Sequence, residues 1–546
     1  MELKKTFNHF LQNWKSGLTV ALISIPLALA LAIASGATPT QGIITAFWAG
    51  IIGASLGGSH YNIIGPTGAL SGVLVSYSLI HGYHVLSVIA LLSGLFIFIC
   101  YMLRFDKYII FIPKSVIHGF TLGVAFIIAL GQIDNILGLK GIEKSDSFLN
   151  NTWMSLNHIS DIQWIVFIIF LISTLLIFIW DKKFPKFPGS VIMAFLGILI
   201  TIFLQKTNSE FHLITLGDQY PNIQANLFIN IFSPFDWSIF LHKSIWTVSI
   251  TVAVIAILET LLSGQIARDI TKVKFNRSKE ILSLSMANIG SGLMGGIPAT
   301  AALARTALNI KSGAKHRTSG IISSLLIGFI SIFLFSFFKL LPTVIIASIL
   351  FIVAVRMIEA KHFIRFIEDE KTSFFLSLLV AVIVVVEDPI IGIIVGTLIA
   401  LLIFVNKVSY GETDILLWKN GKMTELLLKS EIAKRKDIHS DLVVYKISGT
   451  LTYINMPAHL EAIKKITNNE YVIISLRHAF YADLDGIEYL KELIEELKRN
   501  NKKVYLSGIN KEIHRLIVNE QFYKQKQIEK KIYNRTSEAI YDIYKK

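Results

Sequence analysis

Glu259 and Ser263 have side chains and a spacing that indicate cation chemistry. Glu259 follows an uncharged run that begins at Ser244, and Ser263 lies four residues further on. Residues at this spacing share one face of a helix. A carboxylate and a hydroxyl on one face suit the coordination of Na⁺, and a buried carboxylate can also carry a proton. The pair is therefore a candidate cation-coupling site for Na⁺ or H⁺, with a structural ion pair between Glu259 and Arg305 as the alternative.

Arg305 is a second charge in an unfavourable place. It lies in GGIPATAALART, residues 295–306, within an apolar part of the chain. A charge at the centre of a bilayer costs at least about 2.5 kcal/mol, so such a residue is a functional candidate. We expect Arg305 to add positive potential to an anion site. The alternative is a side chain that extends to the inner membrane surface.

A related segment, GGSHYNIIGPTGALSG at residues 57–72, occurs in the first half of the chain. Both segments have paired glycines, then a proline and a threonine, then small residues. This composition predicts an extended piece that becomes a half-helix, with Pro66 or Pro298 in its first turn. Two such helix starts, with the hydroxyls of Thr67 and Thr300, would form an anion site. Close helix packing through small residues is the alternative.

Membrane-spanning helices must position these residues. Hydrophobic residues make up 53% of the 546 residues and charged residues 16%, and the mean hydropathy is +0.59. Charged residues make up about 25% of an average soluble domain. The stretch 16–103 contains no Asp, Glu, Lys or Arg, and it is long enough for about four spans of roughly 20 residues each. The composition excludes a soluble protein and predicts a polytopic α-helical membrane protein.

Apolar segments predict about fourteen transmembrane helices. They lie at 17–36, 41–58, 66–80, 86–103, 114–137, 162–180, 188–205, 244–266, 279–294, 299–310, 318–337, 341–356, 372–386 and 389–406. The two Gly–Pro–Thr segments belong to the third and the tenth helix. Because this offset of seven is odd, the two copies run in opposite directions. The pattern indicates an inverted repeat with its binding site at the interrupted helices.

The net charge of +14 comes from lysines and arginines that cluster in alternate loops. This asymmetry follows the positive-inside rule and predicts that the N-terminus and the C-terminal region lie in the cytoplasm. In a membrane protein such an excess indicates orientation in the lipid bilayer, and we expect no nucleic-acid partner. The single cysteine, Cys100, excludes a disulfide within the chain and a cysteine-based metal site.

The pattern changes after about residue 406. A mixed, charged stretch comes first, and alternating strand and helix patterns follow from about residue 441. Such alternation is typical of a small α/β domain. We therefore predict a transmembrane domain at residues 1–410, a linker at 411–437 and a cytoplasmic α/β domain at 438–546.

The sequence resembles the SulP family of sulfate-permease-type anion transporters. The resemblance covers nearly the whole chain and rests on segments that include GLTVALISIPLALALAIASGATPTQGIITAFWAGIIGASLGGS, GPTGAL, ILETLLSGQIA and ANIGSGLMGGIPATAALARTALNIKSGA. It implies fourteen spans in a 7+7 inverted repeat, divided into a core domain and a gate domain. It also implies a homodimer and an elevator-like movement of the core against the gate.

The resemblance also implies which residues form the site. By motif position, the anion site between the third and tenth helices would include Thr67, Gly68 and Ala69 on one side. Thr300, Ala301 and Arg305 match the other side, and Ser24 matches a polar position of the first helix. Glu259 and Ser263 match the positions that bind Na⁺ in bicarbonate-transporting members. The acid here is Glu instead of Asp, which leaves Na⁺ and H⁺ both open.

The C-terminal unit is similar to a STAS domain. The loop that usually reads Asp-Ser-Thr/Ser-Gly occurs here as ADLDGIEYL, in which Asp483 and Gly486 are retained. Leu484 stands at the usual phosphoacceptor position and is followed by Asp485. Leucine carries no hydroxyl, so we expect this domain to have a structural or assembly role.

These observations together predict a secondary active transporter, not an enzyme, in a bacterial-type inner membrane. The expected substrate is a small inorganic oxyanion, sulfate or bicarbonate, coupled to Na⁺ or H⁺ without any other cofactor. Transport of a dicarboxylate or nitrate is an alternative, as is an uncoupled anion channel or exchanger. A receptor that signals through its cytoplasmic domain would bind an anion without transporting it.

Overall fold

The computed structural model forms two compact units, Met1–Leu398 and Ile399–Lys546. It describes residues 2–104, 107, 112–142, 145, 148–184, 188–206, 213–221, 224, 226–229, 240–387, 389–409, 413–419, 422–428, 442–464 and 469–545.

Fourteen helices coincide with the fourteen predicted spans, which confirms the predicted fold class. They are α1 (Glu2–Ala34), α2 (Pro39–Leu56), α3 (Gly68–His81), α4 (Val85–Met102), α5 (Lys114–Leu130), α8 (Trp164–Lys183), α9 (Gly189–Lys206), α11 (Lys243–Thr271), α12 (Arg277–Leu293), α13 (Leu303–Lys311), α14 (Thr318–Phe338), α15 (Thr343–Met357), α17 (Lys371–Val386) and α18 (Pro389–Ser409). Among the described residues, eight helical stretches are long and apolar enough to cross a membrane. The chain is a multi-pass membrane protein.

Shorter helices connect these spans. They are α6 (Ile133–Leu137), α7 (Phe148–Asn157), α10 (Leu216–Gln219) and α16 (Ala360–Asp369). One of them, α16, joins α15 to α17 and was not predicted from the sequence. Its ten residues are too few to span a membrane.

The packing of the helices shows the inverted repeat. The first helix, α1, packs against the eleventh, α14, and the eighth helix, α11, packs against the fourth, α4. In the same way α2 packs against α14, while α12 packs against α4. Each of these contacts between the halves therefore has a counterpart in which the halves are exchanged. Two copies related by a twofold axis in the membrane plane produce this exchange.

The prolines of the two repeated segments lie outside the helices. We expected Pro66 and Pro298 in the first helical turn, but α3 begins at Gly68 and α13 begins at Leu303. The residues between proline and helix are extended, and two short strands form beside the prolines: β1 (Ile64–Gly65) and β2 (Thr300–Ala301). Pairing between the two strands provides hydrogen-bond partners for the backbone here. Each helix therefore begins later than expected from the preference of proline for the first helical turn.

The second unit contains a six-stranded sheet covered by helices. Its strands are β3 (Thr413–Lys419), β4 (Lys422–Leu428), β5 (Leu442–Leu451), β6 (Tyr471–Ala482), β7 (Lys503–Ser507) and β8 (Ile532–Tyr533), in the spatial order β4-β3-β5-β6-β7-β8. Its helices are α19 (Met456–Ile463), α20 (Leu484–Arg499), α21 (Lys511–Ile517), α22 (Gln521–Ile528) and α23 (Thr536–Lys545).

The sheet begins before the predicted domain boundary at residue 438. The hairpin of β3 and β4 lies within the segment 411–437 that we expected to be a linker, and β3 pairs with β5 along its length. Ile415 and Leu417 of β3 are buried in the core of this unit. Buried residues at every second position fit a strand with one face toward the core and one toward solvent. A stretch with many charged residues can therefore still join the sheet.

A buried lysine makes the stability of the second unit depend on pH. Lys526 is 1% exposed, and its ammonium group donates to the carbonyl oxygen of Val504. Burial lowers the pKa of Lys526 from 10.5 to about 8. Between these values the unfolded chain binds more protons than the folded chain, so the contribution of Lys526 to stability rises with pH.

We expect Lys526→Met to stabilise this unit near neutral pH, where the wild-type lysine must be buried with its charge. The lowering of the pKa from 10.5 to about 8 corresponds to about 3 kcal/mol, at about 1.4 kcal/mol for each pKa unit. The variant also loses the hydrogen bond to Val504, which reduces the net gain to about 1–2 kcal/mol. Amide hydrogen exchange of β7 should show slower opening in the variant at about pH 7 and a smaller difference at about pH 10. Equal exchange rates in the two chains at both pH values would contradict the assignment.

Candidate functional site

Two extended segments pair with each other between the interrupted helices. Ile64 lies opposite Ala301 and Gly65 opposite Thr300 in an antiparallel pair, and the N–H of Ala302 donates to the carbonyl oxygen of Ile63 at 3.2 Å. Non-helical backbone within a membrane must be satisfied by protein. The pair meets this requirement by joining the first repeat to the second.

Side chains of neighbouring helices hold the segment of the second repeat. Asn288 of α12 accepts from the N–H of Ala299 at 2.8 Å and donates to its carbonyl oxygen at 2.9 Å. Thr45 of α2 accepts from the N–H of Ile297 at 2.7 Å. Gly295 makes the turn that leads out of α12, with φ at +83°, a conformation that glycine adopts without strain. These contacts fix the direction in which the chain enters α13.

Glu280 holds the segment of the first repeat. It lies in the first turn of α12 and is 1% exposed. One carboxylate oxygen accepts from the N–H groups of Gly58 and Ser59, at 2.7 and 2.8 Å, and the other accepts from Asn62 Nδ2 at 2.8 Å. Hydrogen bonds to an ionised acceptor are about twice as strong as neutral ones. Glu280 was not among the predicted site residues, although a carboxylate within a predicted span was a signal that could have identified it.

Arg305 is inserted behind the first repeat. Its side chain is buried, at 3% exposure, and Nη2 donates to the carbonyl oxygen of Pro66 at 2.7 Å. A Cβ atom on Gly65 would lie 2.7 Å from Nη1, so glycine is needed for this close approach. Burial excludes a side chain that extends to the membrane surface. The guanidinium instead places a positive charge beside the segment that leads into α3.

Thr67 and Glu259 meet at the start of α3. Thr67 is the residue before the first turn, and its hydroxyl donates to Glu259 Oε2 at 3.0 Å instead of capping its own helix. In α13 the corresponding residue is Ala302, whose side chain has no hydroxyl to cap that helix. Both helices therefore start without a side-chain cap, which leaves N–H groups available to a ligand.

The hydroxyl groups of the other predicted site residues do not cap the helix starts; they bond to other groups, or to none among the described residues. The Thr300 hydroxyl lies 2.8 Å from that of Thr260 and 3.0 Å from the carbonyl oxygen of Ala256, so it contacts α11. The Ser263 hydroxyl donates to Thr306 Oγ1 at 2.8 Å. Ser263 thus shares a helix face with Glu259 but uses its hydroxyl elsewhere. Ser24 is fully buried, and its hydroxyl has no hydrogen-bond partner among the described residues.

A cavity of about 250 Å³ connects Glu259 to charged side chains at the ends of other helices. Ala69, Leu258, Glu259 and Leu303 line it near the starts of α3 and α13. Gln265 and Asp269 line it further along α11. Ten residues of a helix span about 15 Å, so the cavity extends about that far from Glu259. Of the two charged residues predicted for the site, Glu259 and Arg305, it is Glu259 that lines this cavity and that a ligand can reach through it.

The remaining predicted positions lie close to the two strands. Gly68 is the first residue of α3, and a Cβ atom there would lie 2.9 Å from Ile128 and 3.0 Å from Met357. Ala301 is fully buried and pairs with Ile64. The structure therefore brings together Thr67, Gly68, Ala69, Thr300, Ala301 and Arg305 at the paired strands. It places Glu259 at the adjoining cavity.

The altered loop of the second unit forms a helix cap. Asp483 accepts from the N–H of Gly486 at 2.6 Å and so caps α20. Leu484, the first residue of that helix, is 71% exposed. The two retained loop residues thus serve local structure.

Comparison with known proteins gives a consistent result for both units. The sequence profile described as the sulfate permease family matches residues 10–381, and the STAS domain profile matches residues 433–539. The candidate sulfate transporter YvdB of Bacillus subtilis (strain 168) is 28% identical over 515 residues, which cover 93% of each chain. Bicarbonate transporter BicA of Synechocystis is 24% identical over 538 residues, covering 96% of this chain and 93% of the relative.

Solved structures show the same fold. The overall structure of SLC26A9 covers 97% of this chain and 89% of its own, with a TM-score of 0.79 at 15% identity. The transmembrane domain of a cyanobacterial bicarbonate transporter, BicA, covers 71% of this chain and 98% of its own, with a TM-score of 0.62 at 25% identity.

We expect Glu280→Gln to loosen the segment between α2 and α3. The amide keeps one acceptor oxygen but places an NH₂ group where the carboxylate accepts hydrogen bonds, and the loss should be about 2–4 kcal/mol. The thermal unfolding temperature of the purified protein should fall, and Glu368→Gln, at an exposed position of α16, should leave it unchanged. An unaltered unfolding temperature in Glu280→Gln would contradict the role given to this carboxylate.

Proposed function

The chain belongs to the sulfate permease family, and from this premise we propose that it is a secondary active transporter of a small inorganic oxyanion, sulfate or bicarbonate. The names of its relatives support both substrates. One observation carries the proposal for this chain: the uncapped starts of α3 and α13 meet at paired strands beside a cavity that contains Glu259.

The anion binds at the starts of the two half-helices. Each helix start has free N–H groups and a partial positive charge of about half a unit. Arg305 adds a full positive charge behind β1, while its hydrogen bond to Pro66 keeps it in place. The backbone groups around Thr67, Gly68, Ala69, Thr300 and Ala301 contact the anion, and Ser24 contributes its unpaired hydroxyl. Such a site recognises negative charge and hydrogen-bond acceptors, which an oxyanion has in every direction.

Glu259 couples a cation to the anion. Its carboxylate contacts Thr67 directly, so an ionised Glu259 repels an anion at the start of α3. Binding of Na⁺ or H⁺ removes this repulsion, and the anion in turn favours the bound cation. Ser263 supplies a hydroxyl for Na⁺ after a change of rotamer. The Thr67 contact thus gives a physical reason for the two ligands to bind together.

The surrounding fold supports an elevator movement. The repeat that carries α1 to α4 interdigitates with α11 to α14, so both half-helices move as one body. We propose that this body slides against the remaining helices in a homodimer, in a bacterial-type inner membrane. The N-terminus and the STAS domain face the cytoplasm, as the distribution of basic residues indicates.

Gradient-driven uptake tests the proposal. Purified protein in liposomes should accumulate labelled sulfate or bicarbonate when a Na⁺ or H⁺ gradient is imposed, and a panel that adds fumarate and nitrate identifies the substrate. Flux that only follows the anion's own gradient would indicate a channel or exchanger instead. Binding of the anion without flux would indicate a receptor.

We expect Glu259→Gln to abolish accumulation driven by the cation gradient. The neutral amide removes the charge that the cation must compensate, so anion exchange between the two sides should persist. Uptake and exchange are measured in the same liposome preparation, with Glu368→Gln as the exposed control. Wild-type accumulation in Glu259→Gln would remove this residue from the coupling mechanism.

We expect Arg305→Ala to weaken anion binding at least about tenfold, because a charge close to the anion is lost in a medium of low dielectric constant. Arg305→Lys keeps the charge but loses the planar donor group, and its affinity should be intermediate. Binding is measured by titration of the purified protein, with Arg365→Ala, which alters an exposed arginine of α16, as control. Lower protein yield with unchanged affinity would assign Arg305 a structural role only.

A further inference from the structure

Three potential metal ligands meet in the wall of the cavity. His118 comes from α5, Glu359 precedes the first residue of α16, and His362 lies in the first turn of α16. All three side chains line the same cavity as Glu259. The proposed transport mechanism uses none of them.

The ligand atoms have distances that suit one metal ion. His118 Nδ1 lies 3.3 Å from Glu359 Oε2, and His362 Nε2 lies 3.4 Å from the same oxygen. Across the group, the ligand atoms lie within 4.8 Å of one another. Two ligands of a tetrahedral zinc ion, each about 2.0–2.1 Å from the metal, are separated by roughly 3.3 Å. The separations between the ligand atoms therefore match those around a single ion.

The imidazole rings of His118 and His362 stack on each other, so one ring must turn before both nitrogen lone pairs can point at a single ion. The rings of His118 and His362 have centroids 4.4 Å apart and planes inclined by 21°. His118 is 12% exposed, whereas Glu359 and His362 are 38% and 45% exposed. An ion can therefore approach from the side of α16.

We propose that His118, Glu359 and His362 bind a divalent transition-metal cation of the zinc class. Two imidazoles and one carboxylate suit Zn²⁺, whereas Na⁺ and Mg²⁺ prefer oxygen ligands. Three protein ligands leave one coordination position for water or another small ligand. This site is separate from the cation-coupling site at Glu259, and the metal binding is independent of which anion the protein carries.

A bound ion would connect α5 to the segment between α15 and α17. Its position in the cavity wall narrows the passage that leads to Glu259, and it restrains α16 against α5. Asp269 and Lys114 line the same cavity, and Lys114 acts electrostatically on His118, so its positive charge opposes a bound cation. Because a bound ion narrows this passage, metal binding should slow anion flux through it.

Zinc titration of the full-length protein, purified without a polyhistidine tag, tests the site. Isothermal calorimetry should detect about one Zn²⁺ per chain at this site, and His362→Ala should weaken its binding at least tenfold, since one of three ligands is lost. The matched control is His158→Ala, which removes an exposed histidine beside α7. His118→Ala, in a second helix, should have the same effect as His362→Ala.

Equal Zn²⁺ affinity in wild type, His118→Ala and His362→Ala would overturn the proposal. The thermal unfolding temperature in metal-free buffer shows whether each variant is folded. A variant that has lost zinc binding because it is misfolded is thereby recognised and is not taken as support for the site. If His118→Ala unfolds, Glu359→Gln replaces it, and retention of wild-type affinity there would also overturn the site.

Anion flux in liposomes tests the consequence separately. Zn²⁺ added on the side of α16 should lower wild-type flux several-fold and leave the flux of His362→Ala unchanged. If zinc binds as described but anion flux is unaltered, the inference that the bound ion narrows the passage is wrong. If the protein shows no anion flux at all, the proposed function fails, while the zinc titration still decides the metal site.

Discussion

The antiparallel pairing of Ile64–Gly65 with Thr300–Ala301 is the interaction on which this membrane domain depends. Two helices are interrupted within the membrane, and each unpaired backbone group in an apolar medium would cost several kcal/mol. Each interrupted segment supplies partner groups for the other, and side chains of neighbouring helices bind further backbone groups. Inverted repeats place two corresponding segments in opposite directions, as an antiparallel pair requires. The inverted repeat therefore accounts both for the symmetry of the domain and for the pairing of its two interrupted helices.

The buried charges divide into those that hold the segments and one that a ligand can reach. Glu280 binds N–H groups at the beginning of the first segment, and Arg305 binds the carbonyl oxygen of Pro66 near its end. Both residues belong to the second repeat, so charges of opposite sign from one half hold the backbone of the other. Glu259 differs because it receives a hydrogen bond from Thr67 and borders the cavity. That difference is the reason why we propose Glu259 as the residue that binds the coupling cation.

Much of the fold could be predicted because membrane helices leave a strong signal in composition. The offset of seven between the Gly–Pro–Thr segments also identified the inverted repeat. The finer geometry could not be predicted. The spacing of Glu259 and Ser263 correctly placed them on one helix face, but the Ser263 hydroxyl contacts Thr306, forty-three residues away in the sequence. The prolines likewise lie beside strands and outside the helices, because the partner strand comes from the other half of the chain.

The sequence by itself determined that this chain crosses the membrane many times, that two interrupted helices form a matched pair, and that Glu259 and Arg305 are unusual charges. These features follow from local composition and from periodicity, which need no knowledge of distant contacts. Only the tertiary structure decided the partners: Pro66 for Arg305, Thr67 for Glu259, and the meeting of His118 with Glu359 and His362. Hydrogen bonds and metal ligation act over a few ångströms, and the residues that meet over such distances are selected by how the helices pack.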